Sequence, residues 1–324
     1  MRLRRVKAGD DLHVELFGSQ GWVEVSKCLA QLKQPRPEEA HTLGTDIVAL
    51  LGAPADERAA ILDAAREIDP ETTAGGAVVI PFEPRSFRDF MLYESHAIAA
   101  ARGFVRKQMP GAFQVVRAYE ALTGRTFPKL KPHALWYRQP VYYMGNHLTF
   151  ATDGEAIVMP SYTKALDYEL ELGFVLAQPL RDASPEMANE AIGGFVVLND
   201  FSARDVQLAE MASGFGPQKS KHFRSATSKV VVSADEILPR WHDLNGFVRL
   251  NAVTVAEPST AGAKWSLGEV LAHASRCEQL YPGELFGSGT LPDGSGIETG
   301  HALKPGDRIE IGIENVGTLT NPIA

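Results

Sequence analysis

Four acids and one histidine stand at spacings that could do chemistry. In "ALDYELELGFVLA", residues 165–177, Glu169 and Glu171 are two apart. An extended strand would point both carboxylates the same way, roughly 7 Å apart along the chain. Asp167 shares that face, while Tyr168, Leu170, Leu172 and Phe174 take the other. Adjacent carboxylates are costly unless one is protonated or a cation lies between them. The plainer alternative is a solvated acidic sheet face with Lys or Arg across the strand. Asp200 ends the apolar run "AIGGFVVLND", at the mouth of a strand-to-helix turn where functional groups often sit. Asp89 precedes His96 by seven residues, about two turns if both lie on one helix. Together Asp89, Glu169, Glu171 and Asp200 would form an all-oxygen site, suited to Mg²⁺, Mn²⁺ or Ca²⁺. No HExxH and no clustered Cys and His point to zinc.

The elements that must position these residues change character along the chain. "LHVELFG" and "GWVEVSK" read as a hairpin, and "GTDIVALLG" and "DERAAILDAAREI" as helices. "DPETTAGGA", rich in turn residues, predicts a linker, so residues 1–80 form a small N-terminal domain and 81–324 a larger one. "FRDFMLYESHAIAAARGFVRKQ" predicts a long helix carrying Asp89 and His96. After it, short apolar runs split by Gly, Pro and Asn predict a β-rich α+β architecture. Ser202 followed by Asp205 predicts a capped helix start, with Arg204 and Gln207 on one helical face.

Composition bounds the partners. The 324 residues carry a net charge of −8, which argues against nucleic acid, because phosphate binding wants a basic field. No apolar run reaches the length of a membrane span, and no secretory signal is read at the start. Two cysteines, Cys28 and Cys277, make no disulfide framework, and Cys277 reads as a buried small hydrophobe. A cytoplasmic protein is expected.

The run "LDYELELGFVL" followed by "LNDFSARDVQ", then "GPQKSKHF" and "GELFGSGT" in the same order, resembles the fumarylacetoacetate hydrolase family over roughly residues 80–324. The resemblance implies that family's mixed β-sandwich roll and a divalent metal, Mg²⁺ first, on Asp89, Glu169, Glu171 and Asp200. It also implies a catalytic His96 oriented by Glu298, and Arg204, Gln207 and Lys221 stabilising a departing carbanion. Tyr143 and Thr290 would contact substrate, and Ser225 would lie beside the metal. The implied activity is hydrolysis of a C–C bond in a 1,3-diketo acid, by a homodimer. Met91, Met211 and Asn146 depart from the pattern of the mammalian-type enzymes and point to another acylpyruvate or β-diketone. An isomerase or decarboxylase working through a metal-bound enolate, in aromatic-compound catabolism, is the alternative. A retired scaffold that only binds small molecules is the third reading. Asp167 is expected to be a strand-end group whose amide variant is milder than those of Glu169 and Glu171.

Overall fold

The computed structural model describes residues 1–32, 37–70 and 75–324. Residues 71–74 of the expected linker lie outside these. Among the described residues, a mixed sheet of twelve strands carries the fold. Its main path runs through Trp22–Glu24, Asp11–Phe17, Arg2–Ala8, Val230–Ser233, Ile192–Asn199, Leu170–Leu176, Leu285–Gly287, Phe87–Phe90 and Tyr142–Gly145. The strands of the first 80 residues therefore continue the same sheet, because Arg2–Ala8 pairs antiparallel with Val230–Ser233. A four-stranded antiparallel sheet, Val253–Ala256, Gly246–Leu250, Arg308–Ile313 and Gly317–Pro322, packs with it around the larger apolar core.

The central strands are buried on both faces. Every residue of Leu170–Leu176 and Ile192–Asn199 is buried, which accounts for their near-continuous Val, Leu and Phe. The expected hairpin forms, although its second strand stops at Glu24 and Val25 already starts a helix. The helices expected near 44–52 and 56–68 form as Ile47–Gly52 and Ala55–Glu67.

Three expectations fail for identifiable reasons. Phe87–Phe90 is a strand, and the helix begins only at Glu94, so Asp89 and His96 do not share a helical face. All four residues of that strand are buried between Leu285–Gly287 and Tyr142–Gly145, a setting that favours aromatic strand residues over local helical spacing. Ser202 is not a helix cap: it pairs with Asp167 in a short ladder, and the helix starts at Arg204. Asp205 instead accepts from Thr163 Oγ1 and from the amide of Lys164. Cys277 is exposed, at a turn with φ 54°, while Cys28 is the buried one.

Candidate metal and active site

The acidic stretch 167–171 is broken rather than continuous. Asp167 ends the strand Leu166–Asp167, and Leu170 starts the next, with Glu169 bridging to Ser295 between them. The three acids are 2%, 4% and 0% exposed, so the face is not solvated. Each finds a different environment.

Glu171 meets Asp89 and Asp200. One oxygen of each lies within 4.8 Å of the others, and all three residues are buried. Strand register explains the encounter. Gly287 pairs with Asp89 on one side and Gly173 on the other, so the two carboxylates lie on one sheet face with a glycine between their strands. A Cβ at Gly287 would overlap Asp89 Oδ1 and Glu171 Oε2. The Gly289 amide donates to Asp89 Oδ1 at 3.2 Å. Gly287 and Gly289 of "GELFGSGT" shape the site, a role not expected of them from the sequence. Gly287→Ala is expected to weaken Mg²⁺ or Mn²⁺ binding about 10- to 100-fold, as measured by titration calorimetry, by pushing the carboxylates apart.

Asp200 follows the strand Ile192–Asn199, its amide bonded to the Glu169 carbonyl at 3.1 Å. Ser225 Oγ donates to its Oδ1 at 3.1 Å and Tyr143 Oη to its Oδ2 at 2.7 Å. Tyr143, expected at the substrate, thus holds a carboxylate of the cluster, its ring stacked on His222 at 6.4 Å. Thr290 is buried next to Gly289.

Glu169 lies beside this cluster with both oxygens taken. Arg204 Nη1 reaches its Oε1 at 2.7 Å, and Lys221 Nζ contacts its Oε2. Lys221 also reaches Asp200 Oδ2 at 2.6 Å. Arg204 Nη1 further donates to Gln207 Oε1 at 3.0 Å, so the expected shared face holds. Lys219 is exposed, which leaves Lys221 as the buried lysine of "KSKHF".

These environments drive the acids in opposite directions. Burial, then the charges of Asp89 and Asp200, raise Glu171 well above the usual carboxylate range. Burial and then Asp200 raise Asp89 as well. Burial would raise Glu169 too, but Arg204 and then Lys221 outweigh it and hold it below that range. Burial opposes the charge on Lys221, yet Asp200 and Glu169 keep its pKa above the ordinary lysine value. Glu169 is thus held as an anion by two cations and Asp200 has Lys221, while Asp89 and Glu171 have no cationic side chain bonded to them among the described residues.

The cluster fits a hard cation. Both Glu171 oxygens are buried and lack a hydrogen-bond partner among the described residues. Orphaned buried acceptors cost stability, and a divalent ion with oxygen preference would satisfy them. Asp89, Glu171 and Asp200 could hold it, with Glu169 adjacent. Arg204 Nη2 is likewise buried without a partner, a donor free to meet an anion.

His96 lies in the first turn of the helix Glu94–Gln108 and is 8% exposed. Its Nδ1 is 2.9 Å from Glu298 Oε2. The carboxylate is off the N–H direction, so the contact is an ion-pair distance rather than an aligned hydrogen bond. Ser295 Oγ fixes the same Glu298 oxygen at 2.6 Å. His96 is also near enough to Glu169 to lower it. The carboxylate cluster, the buried Arg204 and Lys221 and the His96–Glu298 pair are thus the charged groups of one region, joined through Glu169.

Residues 112–324 match the family description "Fumarylacetoacetate (FAA) hydrolase C-terminal". The human mitochondrial oxaloacetate tautomerase FAHD1 is 29% identical over 182 residues, covering 56% of this chain and 80% of that protein. The fumarylacetoacetate hydrolase of Exiguobacterium antarcticum shares the fold at TM-score 0.67 and 20% identity, covering 100% of this chain and 99% of its own. The fumarylpyruvate hydrolase of Pseudomonas aeruginosa, solved with Mn²⁺ and pyruvate, gives TM-score 0.57 and 19% identity over 78% of this chain and 93% of its own. Among the described residues, no helix is long and apolar enough to cross a membrane.

Proposed function

The chain belongs to the fumarylacetoacetate hydrolase family, and we propose that it is a divalent-metal-dependent hydrolase cleaving a C–C bond in a 1,3-diketo acid of the acylpyruvate or fumarylacetoacetate type. The observation that carries this reading is the His96–Glu298 pair at 2.9 Å beside the buried carboxylates. A bound Mg²⁺, or Mn²⁺ or Ca²⁺ in its place, would supply Lewis acidity and orient the substrate oxygens.

The chain's own groups do the rest. Glu298 Oε2 lies 2.9 Å from His96 Nδ1, so Nε2 is the imidazole nitrogen left to take a proton from water. The hydroxide adds to the keto carbon, and the C–C bond breaks with its electrons moving to the leaving carbon. Arg204 Nη2, with Gln207 and Lys221 behind it, offers fixed positive charge where the enolate forms. His96 returns its proton to that carbon. Tyr143 holds Asp200 in place, and Thr290 is buried one residue after Gly289, whose amide bonds Asp89.

The second reading is an isomerase or tautomerase. The similarity to a protein described as an oxaloacetate tautomerase favours it. Such chemistry needs proton transfer but no attacking water. The discriminating experiment follows loss of enol absorbance for a panel of acylpyruvates and β-diketones with Mg²⁺ and Mn²⁺, and separately the enol–keto conversion of oxaloacetate. Cleavage products with any acylpyruvate are expected. Oxaloacetate conversion with no cleavage across the panel would replace the hydrolase reading by the second.

A further inference from the structure

Asp167 is the acid of the stretch that no cation site uses. It is 2% exposed and takes four hydrogen bonds. Oδ1 accepts from the amides of Gly296 at 2.8 Å and Tyr168 at 2.9 Å. Oδ2 accepts from Arg204 Nε at 2.7 Å and from the amide of Ile297 at 2.9 Å. Gly296 and Ile297 open the short helix Gly296–Thr299 that carries Glu298. The first amides of a helix have no partner inside it. Asp167 therefore grips the turn that orients His96 and, with the same carboxylate, the guanidinium whose Nη2 is free.

We infer that Asp167 is a positioning residue: one buried carboxylate sets the His96–Glu298 pair and the Arg204 donor in a common frame. Two further features support this. Gly296 comes so close that a Cβ there would overlap Asp167 Oδ1. Arg204 is pinned at Nε by Asp167 and at Nη1 by Glu169 and Gln207, which fixes the direction of Nη2. Asparagine at 167 would keep the shape but turn one acceptor into a donor, facing Arg204 Nε and the Ile297 amide.

The inference rests on the hydrolase reading for its kinetic arm only. In the metal-loaded protein, Asp167→Asn is expected to lower kcat about 100-fold, the scale of a reacting group misplaced by an ångström, while KM and metal affinity change less than about threefold. The double variant Asp167→Asn/Glu298→Gln should lose clearly less than the product of the two single losses, because both act through one turn. A loss confined to KM, or a full product of losses, would overturn the inference. Hydrogen exchange of the substrate-free protein needs no activity: Asp167→Asn should expose the amides of Gly296 and Ile297 while those of Leu170–Leu176 stay protected. Unchanged protection at 296 and 297 would sink the idea whatever the reaction proves to be. Should Asp167→Asn fail to fold, Gly296→Ala, whose Cβ would crowd both the Asp167 carboxylate and the His301 carbonyl without changing any charge, should give the same kcat-selective loss; wild-type kcat in that variant would overturn the inference.

Discussion

Glu171→Gln should abolish Mg²⁺ and Mn²⁺ binding in titration calorimetry and lower turnover by about three orders of magnitude, the scale of losing a main electrostatic stabiliser. The same substitution should raise the melting temperature of the metal-free protein. Glu171 is fully buried and no donor of the described residues meets either oxygen, so ionising it is costly without a cation. Linkage gives the sign. Its folded pKa is raised, so the folded state binds more protons than the unfolded chain once pH passes the ordinary carboxylate range. Unfolding then releases protons, and metal-free stability falls as pH rises through that window. Removing the titrating group flattens the dependence; adding metal to the wild type reverses the loss. Glu169→Gln should behave otherwise. Its folded pKa is lowered by Arg204 and Lys221, so its contribution is present above the usual carboxylate range and fades as pH falls through the lowered value. Its loss leaves two buried cations short of a partner and should lower the melting temperature, with metal affinity far less affected than in Glu171→Gln. Equal loss of metal from both variants would restore Glu169 to the ligand set on an equal footing.

His96→Ala should cost hydrolysis about 10³-fold, within the usual span for a general base, with metal affinity and melting temperature nearly unchanged. The imidazole touches no residue of the carboxylate cluster by a hydrogen bond and sits on a different element, the helix Glu94–Gln108. The readout is single-turnover cleavage of the best acylpyruvate at saturating Mg²⁺. Survival of cleavage would remove water activation by His96 and favour enolate chemistry without an attacking water.

Much of the site was legible because its chemistry is written in residue types at fixed spacings. The buried run ending in Asn199-Asp200 and the Arg204–Gln207 pair lie where the pattern put them, whereas the glycines at 287 and 289 drew no expectation. The roles inside the acidic stretch were not legible. A regular strand implies one face for Asp167, Glu169 and Glu171, but the strand is interrupted between Asp167 and Leu170, which gives each its own partners. That break depends on Ser295 and Ser202, more than thirty residues away in sequence, which no local periodicity encodes. Asp89 was misplaced on a helix for the same reason: the strand Phe87–Phe90 exists because of a neighbour at 285–287.

That last pairing also governs when the site can exist during synthesis. Phe87–Phe90 runs parallel to Leu285–Gly287, so its principal neighbour is made some two hundred residues later. Asp89 cannot be held against Glu171 until the glycine between them has left the ribosome and the intervening chain has closed a long loop, a slow step for any topology of this kind. A cation held by all three carboxylates can therefore bind only after residues 285–287 have been made.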